Sequence, residues 1–182
     1  MPSGRHGAGR KELGIPVLRR LARTLIAVPI AAVALSACVP SAPAPTISCD
    51  GINGTYSLVL EWCHTRYHSY KLDGSSPAAQ NLADYLAATM TSCSNLGTKH
   101  STSAQLRAAY PSATSIAENL FCWSGGACPT AQAGAASAMN AWVRSSGHRQ
   151  NLDSFAGQWV NAAAQCNSTR HIYFGVAQFH KP

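Results

Sequence analysis

Charge is scarce in this sequence. Lys, Arg, Asp and Glu make up 12% of its 182 residues, and only seven of those are acids. The formal excess of +7 sits mostly at the beginning. Arg5, Arg10, Lys11, Arg19, Arg20 and Arg23 precede Thr24 with Glu12 as the one acid, whereas eight Lys or Arg face six Asp or Glu from Cys38 onward. The remainder is therefore nearly neutral, which removes nucleic acid as a partner. Other absences narrow the reading further. There is no Cys-x-x-Cys pair, a poor fit to a structural zinc knuckle, and no Gly-x-Ser-x-Gly turn to expose a nucleophilic serine. Internal repeats are absent, and the length leaves room for one domain of ordinary size. What is abundant is apolar side chain, at 46%, enough for a real core.

Residues 25–37 form the longest apolar run, interrupted by Pro29 and ending in small residues behind a basic segment. As a helix it would span only about 20 Å, against roughly 30 Å of bilayer core, so it reads as a cleaved export signal covering residues 1–37. Its last residues, Leu35-Ser36-Ala37-Cys38, resemble the bacterial lipobox. That resemblance implies cleavage before Cys38, diacylation of its thiol and attachment to the membrane. The alternative is an ordinary signal-peptidase site, with free secretion and Cys38 incidental. Arg19-Arg20 lacks the rest of a twin-arginine motif, leaving the export route open. Residues 39–46 hold three prolines among small residues and suit a tether, so 38–46 is read as lipidated cysteine plus linker and 47–182 as the folded domain.

The cysteine count agrees with export. Assigning Cys38 to lipid leaves Cys49, Cys63, Cys93, Cys122, Cys128 and Cys166, enough for three disulfides in an oxidising compartment. Cys122 and Cys128 flank a Gly-Gly loop and are expected to pair locally, with Cys49–Cys63 and Cys93–Cys166 following by elimination. Residues 55–72 carry a loosely helical apolar period. From Ser76-Pro77 to Cys93, Leu82, Tyr85, Leu86, Met90 and Cys93 recur at steps of three and four, predicting an amphipathic helix. A short helix is expected over 103–110, stopped by Pro111, and a longer one from Pro129 with Ala135, Met139, Trp142 and Val143 on its core face. Ser145-Ser146-Gly147 then reads as its exit. The tail changes period: 158–166 and 171–180 read as strands joined by 167–170, the second covered on both faces. Helices first and strands last predict an α+β fold.

Three side chains in or beside predicted loops attract attention as chemistry: His100, Glu118 and His148. Glu118 has a structural reading too, as a cap on a backbone turn with Asn119 at positive φ. His64 and His68, four apart, are expected on an exposed helical face. Ser145 or Ser146 beside His148 lacks the turn of a hydrolase triad. The sequons at Asn53 and Asn167 carry little weight in a bacterial setting.

The surrounding pattern is more specific. Trp142-Val143-Arg144-Ser145-Ser146-Gly147-His148-Arg149-Gln150-Asn151-Leu152, together with Ala117-Glu118-Asn119-Leu120, Lys99-His100-Ser101 and Tyr173-Phe174-Gly175-Val176-Ala177, resembles in order and spacing the signatures of CAP domains. This is the superfamily of cysteine-rich secretory proteins, antigen 5 and pathogenesis-related proteins. The resemblance covers roughly residues 55–179 and implies an α-β-α sandwich with a small, mainly antiparallel central sheet. It further implies a cleft lined by His100, Glu118 and His148. The family's second glutamate falls at Ser145 here, so a full tetrad is not expected. The implied ligands are a lipid, a sterol, a cell-wall fragment or a partner protein. Two imidazoles and a carboxylate are also a set that binds zinc or another divalent metal with one position open, so a metal-dependent hydrolase using the same residues is the alternative. An inert, disulfide-stabilised surface module is a third reading.

Overall fold

The computed structural model describes residues 45–182. The expected export leader, the expected lipidation site at Cys38 and residues 39–44 of the expected tether lie outside the described residues. The chain runs α1 (Tyr56–His68), β1 (Lys71–Leu72), α2 (Ala78–Thr89), a single 3₁₀ turn (Leu96–Lys99), α3 (Ser103–Ala109), β2 (Ser115–Ser124), α4 (Ala131–Arg144), α5 (Ser146–Ser154), β3 (Trp159–Asn167) and β4 (Ile172–Lys181). The four strands form one mixed sheet in the order β1-β3-β4-β2. β1 runs parallel to β3, and the remaining pairs are antiparallel. The fold is α+β, with helices on both faces of the sheet.

Alternation along the strands divides the core in two. Tyr173, Ala177 and Phe179 of β4 meet Val59 and Leu60 of α1 and Met139 and Trp142 of α4. Phe174 and Val176 point the other way, with Leu120 of β2 and Ala163 of β3, onto α2. β4 is buried nearly throughout, as a strand covered on both faces must be. α4 approaches it closely because Gly134 has no Cβ. A Cβ there would fall 2.7 Å from the ring of Tyr173. Trp142 packs in the core as expected, and its indole N–H donates to the Leu120 carbonyl at 3.0 Å, tying α4 to β2.

The structure corrects the sequence reading in several places. In α2 the buried stripe is Ala79, Ala83, Leu86 and Ala87, not one containing Tyr85, which is 53% exposed. The small alanines seat the helix close against Phe174 and Val176, and that leaves the tyrosine ring outward. Residues 145–147 are no simple exit, because α5 starts at once. α5 buries only Leu152 and so has no apolar period to announce it. β2 passes through Glu118 and Asn119, where the sequence suggests a loop; both have strand geometry and Asn119 has no positive φ. Their adjacent polar side chains hide the alternation, one for each face.

The disulfides are Cys49–Cys63, Cys93–Cys122 and Cys128–Cys166. Only the first pairing matches expectation. Cys93 and Cys122 pack on the α2 side of the sheet, while Cys166 packs with the α1/α4 side, so a Cys93–Cys166 bond would have to pass through the strands. Each bridge contributes about 2–4 kcal/mol, mainly by restricting the unfolded chain. Three disulfides are consistent with a secreted or extracellular protein. Among the described residues no helix is long and apolar enough to cross a membrane.

His64 is not on an exposed face. It is fully buried among Tyr70, Trp142 and Phe179, its Nδ1 donates to the Leu60 carbonyl at 2.8 Å, and its Nε2 has no partner among the described residues. Burial, only partly opposed by the bond to Leu60, lowers its pKa from 6.5 to about 4. The unfolded chain therefore takes up this proton at higher pH than the folded one. The corresponding stability is complete above about pH 6.5 and is lost as the pH falls toward 4, by roughly 3 kcal/mol at the limit. Urea denaturation at pH 7 and pH 4.5 should show that loss, and His64→Phe should flatten it across this window. An equal pH dependence in the variant would refute the assignment.

Candidate functional site

Glu118 sits in the middle of β2 opposite Gln178 of β4, on the sheet face that carries α2. Its side chain is 3% exposed. One carboxylate oxygen accepts from His100 Nδ1 at 3.0 Å and from the Ser101 backbone N–H at 2.9 Å. The other accepts from the Ser101 hydroxyl and from Gln178 Nε2, both at 2.7 Å. Four donors converging on two oxygens are what a buried carboxylate requires. The amide oxygen of Gln178 accepts in turn from the Tyr110 hydroxyl at 2.8 Å. Burial, reinforced by the nearby negative charges of Asp73 and Glu118, raises the pKa of that phenol, so it stays a donor.

His100 follows the 3₁₀ turn and its side chain is 39% exposed. With Nδ1 turned inward to Glu118, Nε2 is the nitrogen left for a ligand. His100, Ser101 and Gln178 line a cleft of about 490 Å³. Leu82 and Tyr85 of α2 form one wall and Gln105 and Leu106 of α3 the other. α3 begins in a reciprocal cap, in which Thr102 accepts from the Gln105 N–H while the Gln105 side chain accepts from the Thr102 N–H. It buries no side chain of its own. Bonds at its two ends, Ser101 to Glu118 and Tyr110 to Gln178, hold it against the sheet.

His148 lies in α5, which packs on α4 and β2. Its carbonyl accepts from Asn119 Nδ2 at 3.1 Å, and Asn151 donates to the Asn119 oxygen at 2.8 Å. Glu118 and Asn119 thus anchor opposite faces of the same strand. Desolvation lowers the His148 pKa, and the charge of neighbouring His100 lowers it further. The three residues picked from sequence therefore share a neighbourhood, but unequally. His100 and Glu118 are bonded, while His148 is near enough to sense His100 and does not line the cleft. Ser145 is a joint: its N–H closes α4 onto Ala141, its carbonyl accepts from the Arg149 N–H to open α5, and its side chain makes no capping bond.

The trio is not arranged as the zinc set that the alternative, metal-dependent reading requires. Both Glu118 oxygens already accept protein donors, so the carboxylate orients His100 and does not face outward as a ligand. Among the described residues no three His, Cys, Asp or Glu side chains are grouped to hold a metal ion. Sequence reasoning passed over Ser101, Tyr110 and Gln178. The signal for Gln178 was a lone amide in an otherwise apolar strand, a residue that must find buried partners. A second polar cluster also went unnoticed. His180 Nε2 lies 2.7 Å from Asp73 Oδ2, and the imidazole stacks on Tyr110 at 4.6 Å. Burial would raise the Asp73 carboxyl, but bonds from Ser75 and His180 outweigh it and lower the pKa.

Comparison with protein-family models, with curated proteins and with solved structures returns no match.

Glu118→Gln sets an amide against groups that all donate. It should cost about 2–3 kcal/mol in denaturant unfolding and release the His100 ring. ¹⁵N-edited NMR should find the His100 proton on Nδ1 in the parent and distributed over both nitrogens in the variant. An unchanged tautomer would show that Glu118 does not hold the ring.

Proposed function

We propose that this chain is an exported CAP-type domain, anchored by lipid at Cys38, that binds a small ligand in the cleft beside His100. One observation carries the binding reading. A buried carboxylate with four donors holds an imidazole by one nitrogen and leaves the other at a cleft of about 490 Å³ with mixed apolar and polar walls. That arrangement suits a binding site, which needs concavity and a few fixed polar groups. The three disulfides and the basic, apolar leader support export. Leu35-Ser36-Ala37-Cys38 supports the lipid anchor. The CAP reading rests on the signature residues, and the helices on both faces of a small, mainly antiparallel sheet accord with it. A lipid, a sterol or a cell-wall fragment is the class of ligand in view. Metal-dependent hydrolysis would require Glu118 as a ligand, and its oxygens are committed elsewhere.

NMR titration of the full chain with dodecanoate, cholesterol hemisuccinate and a muramyl dipeptide should shift His100, Ser101 and Tyr85 for at least one probe. The shifts should persist in EDTA and weaken about tenfold in His100→Ala, a loss of about 1.4 kcal/mol. Silence of these residues toward all three probes would overturn the cleft as a binding site. The anchor has its own check in the intact mass of the protein from the membrane fraction. A diacylated N-terminus at Cys38 is expected, and an unmodified one downstream of it would refute the anchor.

A further inference from the structure

We propose that the cleft continues along α2 as a groove for a short oligosaccharide, with Tyr85 as the platform on which a sugar ring stacks. The proposal rests on the cleft being a ligand site and names the chemistry of its ligand. Two concave regions meet at Tyr85, Thr98 and Lys99. One is the cleft of about 490 Å³ that reaches His100, and the other, about 530 Å³, runs past Thr89, Ser92 and Asn95. Each is of a size that takes a ligand of several rings.

Tyr85 is the centre of the argument. It stands 53% exposed where the two regions join, on a helix whose next two residues, Leu86 and Ala87, are buried. An aromatic face left open in a concavity offers an apolar plane at little entropic cost, since the side chain has only two rotatable angles. Apart from Lys99, the polar groups that line the two regions around it are mostly neutral hydrogen-bonding ones. Asn81 and Gln105 stand on the His100 side, and Thr89, Ser92, Asn95 and Thr98 on the other. The hydroxyls of Thr89 and Thr98 donate to the carbonyls of Tyr85 and Asn95, which leaves their oxygens as acceptors.

This chemistry selects among ligand classes. An acyl chain needs a continuous apolar wall. The second region offers Tyr85 and the buried Met90, with hydroxyls, the Asn95 amide and Lys99 elsewhere. A polyanion needs several cations, and among the described residues Lys99 is the one Lys or Arg lining either region. A pyranose complements the groove: apolar C–H faces to lie on Tyr85 and hydroxyl edges to exchange water for Asn, Gln, Ser and Thr. Lys99 and His100 then mark the end that takes an acidic substituent.

Calorimetric titration of the full chain with chitotetraose and with cellotetraose tests this. Saturable binding of at least one sugar is expected, weakened at least about tenfold by Tyr85→Ala. Leu72→Ala, an exposed apolar residue outside both regions, should bind like the parent. Co-sedimentation with purified bacterial sacculi separates the sources. Pelleting that Tyr85→Ala abolishes would place the sugar in a polymer, and binding of the soluble sugars alone would place it in free saccharide. No binding of either tetrasaccharide, or equal binding by Tyr85→Ala, overturns the proposal. If dodecanoate still shifts His100 in that case, the cleft stands as a ligand site and only its saccharide chemistry fails. If dodecanoate, cholesterol hemisuccinate and the muramyl dipeptide are all without effect there as well, both readings fall.

Discussion

A carboxylate on an interior face of a β-sheet must be surrounded by donors, and much of the site side of this protein is arranged to supply them to Glu118. β4 contributes Gln178 across the ladder, and the turn after Leu96–Lys99 contributes His100 and Ser101. These bonds do more than satisfy the carboxylate. α3 has no buried side chain with which to hold itself down, so its attachment comes from Ser101 at one end and Tyr110 at the other. One wall of the cleft therefore stands on polar contacts, while the α2 wall stands on packing of Ala79, Ala83 and Leu86. The cluster is fully satisfied, the condition under which a buried polar network rigidifies its surroundings.

The sheet also governs the crosslinks. Its two faces keep separate cores, and the cysteines sort by face: Cys93 and Cys122 lie beside α2, and Cys166 beside α1 and α4. Cys93–Cys122 ties the segment leading to His100 directly to β2, the strand that carries Glu118. Covalent and hydrogen-bonded restraints thus act on the same loop from its two ends. His64 occupies the opposite core and meets a different fate, buried neutral with one nitrogen unpaired among aromatic rings.

Legibility in the sequence followed the physics of each residue. Helices with an apolar period, such as 131–144, and the terminal hairpin could be read directly, because burial of one face writes its repeat into the chain. α5 could not, because its role is to hold His148 and Asn151 near Asn119, and it buries one apolar side chain. β2 was obscured at the position that matters most. Glu118 and Asn119 interrupt its alternation, and each is buried by partners that lie far away in the chain.

The sequence alone singled out His100, Glu118 and His148 and led to the expectation of a disulfide-crosslinked domain behind an apolar leader. His100, Glu118 and His148 stand in signature segments, and an apolar leader with six further cysteines follows from composition and order. Their division of labour was decided only in three dimensions. Whether a carboxylate faces a ligand or faces inward depends on which donors the fold brings to it, and those donors come from residues 100, 101 and 178. Local pattern cannot encode such partners, because strand pairing and helix docking choose them. The same holds for Tyr85, whose place in the helical repeat suggested burial until the alanines of α2 took the sheet and left the ring to solvent.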